Sequence, residues 1–209
     1  NTCVNAAGFH PGTGYASTPV LLQTLAENGY GASAYQMMDM TNAPSWLYPV
    51  SHFGATTMPE NFEKYQSEAD GTYRVQGSLN HPALASAASF LYDTVLGIHP
   101  DFTQDGFFRI SPVTDPATGD ASGSFESVYG TVSSGWKYVT EGTDTDIVYT
   151  FTVPGNTRAE LMLQLAGDGS GREPGSAVTL DGKPISACGL KEGLTDYKIE
   201  AQKMIADVG

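Results

Sequence analysis

The chain has 209 residues, a formal net charge of −13 and a charged fraction of only 16%. That length admits one large domain or two small ones, and a hydrophobic content of 40% with 11% aromatics supports a packed core. Ten Lys+Arg against 23 Asp+Glu, with no basic run, argue against nucleic acid or an anionic membrane surface as partner, and no apolar run approaches the ~20 residues of a membrane-spanning helix.

The sequence begins with Asn1 and not Met, and 1–14 reads as neither a leader peptide nor an ordered start. The expectation is a piece of a longer protein. Ser17 or Thr18 caps a first helix with Pro19 in its opening turn; Val20, Leu21, Leu22 and Leu25 form its apolar stripe, and Gly29 stops it. A second helix covers 30–40, with Ala34, Tyr35, Met37 and Met38 on the buried side. Residues 43–80 show no sustained period and read as a long loop, a kind of segment that is usually functional or a linker. A third helix is capped by Asn80 or His81 and opens on Pro82. It carries Leu84, Ala87, Ala88, Leu91, Val95 and Ile98 at helical spacing, with Gly97 and Pro100 marking its end.

After Asp105 the apolar period changes to two. Strands are predicted over 107–113, 122–128, 131–139, 146–153 and 158–165, the second and third flanking Tyr129-Gly130. Residues 177–180 and 184–186 flank Asp181-Gly182, a type I′ hairpin signal. Residues 195–208 fit either strand or helix. The fold class is α+β. Residues 1–104 are helical, and residues 105–209 form an antiparallel β-sandwich of about seven strands. Three helices bury their apolar faces poorly by themselves, which again suggests a larger helical body. Cys3 and Cys188 lack metal-site or redox spacing, leaving free thiols or one long-range disulfide open. His10, His52 and His99 lack ligand spacing, so no metal is expected.

Residues 44–81 gather aromatic faces (Trp46, Tyr48, Phe53), short hydroxyls (Ser45, Thr56, Thr57), a carboxylate (Glu60) and an imidazole (His81). Sugars present apolar C–H faces and many hydroxyls, so aromatic platforms and neutral hydrogen-bonders suit them. On residue type alone, Glu60 reads as a solvent-facing loop carboxylate and His81 as a helix-capping or satisfied core histidine, while Trp46 fits plain core as readily as a sugar platform.

Longer motifs add to this. Gly12-Thr-Gly-Tyr-Ala-Ser-Thr-Pro19, with Leu21-Leu22 and Glu27-Asn28-Gly29, resembles the "TGF-x-GTP-x-LL…L-x-E-x-G" stretch of α-L-rhamnosidases of glycoside hydrolase family 78. Pro44-Ser45-Trp46 and Gly54-Ala-Thr-Thr-Met-Pro-Glu60 resemble that family's "PSWGY…GATT-x-WE". Gly77-Ser-Leu-Asn-His81 is similar to its "SLNH", and Ser124-Phe-Glu-Ser127, Tyr129-Gly130 and Trp136-Lys137 to its "SYDSPYG…SSWK". The motifs occur in family order across roughly 12–183, a collinearity more specific than any one of them.

The resemblance implies an (α/α)6-barrel catalytic domain followed by a C-terminal β-sandwich. Residues 1–104 would be the last barrel helices and 105–209 the sandwich. It implies inverting hydrolysis of terminal α-L-rhamnose from glycosides and polysaccharides, with no cofactor. Inversion uses a general acid and a general base roughly 6.5–9.5 Å apart. The family's base maps onto Glu60, a sugar-contacting histidine onto His81 and a sugar-site wall onto Trp46. The general acid lies upstream in the family, and nothing in 1–209 matches its motif. The chain alone is therefore expected to be inactive, to need the remainder of its parent chain and to self-associate through uncovered helix faces. This sequence departs from the family at Pro59 (usually Trp), at Asn61-Phe62 (often Arg-Trp) and at Pro82 with the small residues after it. Two alternatives remain. One is a non-catalytic β-sandwich module with a helical appendage, structural or carbohydrate-binding; the other is a hydrolase or lyase of related barrel architecture.

Overall fold

The computed structural model describes residues 2–62, 65–142, 144–165, 179–184, 194–200 and 203–208. The chain divides into two compact units, Asn1–Leu91 and Tyr92–Gly209, and the mixed α+β class holds.

The first unit is mainly helical. It opens on a short helix, α1 (Thr2–Ala6), where the sequence suggested no ordered start. Helix α2 (Thr18–Glu27) follows Ser17, with Pro19 in its first turn, and ends ahead of Gly29. It packs on α3 (Gly31–Met38), which buries Ala34, Tyr35 and Met37. Of the expected stripe on α2, Leu22 is buried while Val20 is exposed.

The predicted loop 43–80 contains structure. Helix α4 (Leu47–Phe53) and a hairpin of β1 (Tyr65–Ser67) and β2 (Tyr73–Val75) lie inside it. Seven helical residues with Pro49 among them, and strands of three, are too short to show a period. The expected third helix begins as predicted, with His81 at the N-cap and Pro82 behind it, but it is broken. Helix α5 (Pro82–Ala85) is followed by α6 (Ala87–Ser89) and a π-helical segment, Phe90–Val95. Ile98, expected on the same helix, belongs to a strand, because its apolar side chain suits either period. Among the buried residues of the first unit are Leu22, Tyr35, Met37, Trp46, Phe62 and Phe90. The Tyr35 and Phe90 rings meet edge to face at 5.7 Å.

The second unit holds two sheets sharing one core. The larger sheet contains β3 (Ile98–Pro100), β4 (Phe107–Ile110), β8 (Arg158–Gln164), β11 (Leu194–Glu200) and β12 (Lys203–Val208), in the order β11-β12-β8-β4-β3. The smaller sheet is a meander of β5 (Asp120–Ser127), β6 (Gly130–Glu141) and β7 (Asp144–Thr152). A separate hairpin joins β9 (Thr179–Leu180) to β10 (Lys183–Pro184). Its turn residues Asp181 and Gly182 have φ of 49° and 77°, as the type I′ signal requires. The ambiguous 195–208 stretch is an antiparallel strand pair where described.

Two details depart from the expectation of a purely antiparallel sandwich. Strands β4 and β8 pair in parallel, because the connection between them carries the whole three-stranded meander and so has the length to cross over. The β5–β6 turn is Val128-Tyr129, one residue earlier than predicted. The Ser127 hydroxyl accepts from the Tyr129 N–H and donates to the Gly130 carbonyl, closing the loop there.

The core of this unit is Leu96, Ile98, Phe108, Ile110, Val132, Ala159, Leu161 and Leu163, with Tyr149 and Phe151 packed against it. Along β8 every second residue points inward, as the period of two predicted. The Trp136 indole N–H donates to the Val95 carbonyl at 2.8 Å. Of the two cysteines, Cys3 is exposed and Cys188 lies outside the described residues.

Candidate active site

Two short segments of the first unit lie side by side and carry the predicted site. The Glu60 N–H donates to the Ser78 carbonyl at 2.9 Å, and the His81 N–H donates to the Met58 carbonyl at 2.8 Å. The Thr57 hydroxyl donates to the Leu79 carbonyl at 2.6 Å. The contacts run in opposite directions along the chain, like a fragment of antiparallel ladder. Neither segment is a regular strand. The pairing nevertheless holds Glu60 and His81, 21 residues apart in sequence, on adjoining stretches of backbone.

Glu60 is half-buried. Its carboxylate lies against the backbone of Gly77, where a Cβ would overlap it. Glu60 also borders a cleft of about 300 Å³ together with Thr13, Tyr15, Pro44, Asn61 and Phe62; it is the one acidic residue among the described residues lining that cleft, and His81 is not among them. His81 is also half-buried. It stands at the N-cap position of α5, and its Nδ1 is buried with no hydrogen-bond partner among the described residues.

Tyr15 joins the two. Its hydroxyl donates to the Glu60 main-chain carbonyl at 2.9 Å, and its ring lies 4.6 Å from the His81 ring, tilted by 32°. The loop bearing Tyr15 is tied down by Thr18, a buried residue at the start of α2 whose hydroxyl bonds the Gly14 carbonyl at 3.0 Å and the Thr13 hydroxyl at 2.9 Å.

Trp46 is placed in the core. It is 1% exposed, its indole N–H donates to the Leu84 carbonyl at 2.9 Å, and its ring meets Phe62 edge to face at 5.5 Å. It reaches the Glu60 cleft through Phe62, and it also borders a second, apolar groove of about 400 Å³ with Met38, Val50 and Leu91. The structure thus brings the segments bearing Glu60 and His81 together through backbone pairing and Tyr15, and places Trp46 in the core against Phe62. Sequence reasoning passed over Tyr15 and Gly77, although both lie in quoted motifs. The signal for Tyr15 is an aromatic directly after Gly14, in the short loop that precedes α2. The signal for Gly77 is a glycine opening the motif that ends on His81.

Comparison with known proteins gives the class first. Residues 1–95 match the bacterial α-L-rhamnosidase 6 hairpin glycosidase domain, and residues 97–177 match the bacterial α-L-rhamnosidase C-terminal domain. The chain belongs to the α-L-rhamnosidase family. It is 31% identical over 160 residues to an α-L-rhamnosidase of Streptomyces avermitilis, a match covering 77% of this chain and 15% of that protein. The crystal structure of the Streptomyces avermitilis α-L-rhamnosidase complexed with L-rhamnose superposes with a TM-score of 0.72 at 26% identity, covering 100% of this chain and 18% of that one. Native α-L-rhamnosidase from Aspergillus terreus gives a TM-score of 0.66 at 31% identity, covering 78% of this chain and 18% of that one. The chain therefore spans less than a fifth of the length of these relatives.

Proposed function

We propose that this chain is the C-terminal part of an inverting α-L-rhamnosidase acting on rhamnose-containing glycosides or polysaccharides, with Glu60 as its general base. One observation carries this reading: Glu60 is the carboxylate of a cleft whose backbone is paired with the segment bearing His81. A base acting in inversion needs a fixed main chain, an open face for water and a sugar-contacting neighbour. The backbone pairing supports the first, the cleft that Glu60 borders the second, and the adjoining segment that ends on His81 the third.

In the reaction, the Glu60 carboxylate takes a proton from a water, whose oxygen attacks the anomeric carbon on the face opposite the departing group. The glycosidic C–O bond breaks, and an acid supplied by chain outside these residues protonates the leaving oxygen. His81 holds a sugar hydroxyl. Trp46 acts from behind, holding Phe62 as the wall of the cleft. With the base and not the acid, this stretch of chain by itself does not turn over substrate.

The test is release of the aryl alcohol from an aryl α-L-rhamnoside by the intact protein. Glu60→Gln keeps the size of the side chain and removes the base, and turnover falls at least about 100-fold. Near-normal turnover by that variant would remove Glu60 from the mechanism.

A further inference from the structure

We propose that Tyr15 is the positioning residue of the Glu60–His81 pair, setting the base through its hydroxyl and the imidazole through its ring. The proposal rests on the reading of Glu60 as general base. Its geometry stands on separate contacts. The hydroxyl bonds the main-chain carbonyl of Glu60 itself, and the ring lies on His81. Ser78 holds the same residue's N–H, so both main-chain polar groups of Glu60 are occupied, by partners 63 positions apart in sequence.

Tyr15 also lines the cleft that Glu60 borders. It is more than half exposed, with a relative accessibility of 53%, which is high for a large aromatic held by two directional contacts. An exposed tyrosine contributes little to a core. The geometry therefore points to orientation of the site as the work of this side chain. The hydroxyl matters separately from the ring, because a phenylalanine would keep the stack on His81 and leave the Glu60 carbonyl without that donor.

The experiment separates the two contacts in the intact protein with an aryl α-L-rhamnoside. Tyr15→Phe keeps the ring and loses the hydroxyl. It lowers kcat about tenfold with KM within about twofold of wild type, since a misplaced base slows the chemical step without weakening substrate contacts. Tyr15→Leu also removes the ring from His81, and KM rises about tenfold in addition. Melting temperatures recorded alongside report the fold. A lower Tm with unchanged kcat per folded molecule marks a merely structural role and overturns the proposal. Tyr15→Phe with kcat within about twofold of wild type, while Glu60→Gln is at least about 100-fold down, overturns it and leaves the base assignment standing. Near-normal turnover of Glu60→Gln removes the base, and this proposal with it.

Discussion

The base proposed at Glu60 needs room for its carboxylate, and on one side that room is left by a glycine. Gly77 has a φ of 93°, in the left-handed region, and a Cβ there would overlap the Glu60 side chain. Substituting Gly77→Ala therefore adds both backbone strain and a collision with the carboxylate. Because a displacement of about 1 Å can cost about 100-fold in rate, Gly77→Ala is expected to lower kcat on an aryl α-L-rhamnoside by that order. Steady-state kinetics beside a thermal melt check it, and an unchanged kcat would show that the carboxylate tolerates being moved. Glu60 and His81 were legible in the sequence because they end recognisable motifs. Tyr15 and Gly77 were not, because their importance lies in what they touch, and contacts across 45 and 17 positions have no local signature.

At the scale of elements, legibility followed length. Strand β8 shows a full alternation of Ala159, Leu161 and Leu163 toward the core, and the sequence pattern anticipated it. Helix α4 and the β1–β2 hairpin are too short for a period to repeat clearly, so their sequence reads as loop. Position alone decides the weight of the two tryptophans, since each donates its indole N–H to a carbonyl from a distant segment. For Trp136 the acceptor is Val95, where the π-helical segment ends. Trp136→Phe keeps most of the apolar surface but leaves that carbonyl without its donor. A loss of about 1–3 kcal/mol is expected, read as a lower urea midpoint with an unchanged slope. By contrast, the Arg109–Glu160 pair across the parallel β4–β8 contact, at 2.9 Å and half exposed, contributes at most about 1 kcal/mol.

For the molecule as a whole, the helical unit leaves apolar side chains on its surface: Val20, Val50, Leu79 and Leu91 are each more than 40% exposed. Val50 and Leu91 border one apolar groove. Contact between such surfaces removes them from water, so this stretch of chain in isolation is expected to self-associate. Light scattering over a concentration series checks this, and a monomer persisting to high concentration would count against it. The sequence by itself determined the α+β class, the family, and the two residues on which the chemistry is proposed to rest. Each of these is written in local period or in contiguous motif. Only the tertiary structure decided that β4 and β8 run parallel, that Trp46 is buried in the core, that Tyr15 bonds the Glu60 carbonyl and that the Glu60 carboxylate lies against Gly77. Those outcomes depend on which distant segments meet, and chain pattern specifies the faces of elements but not the partners those faces find.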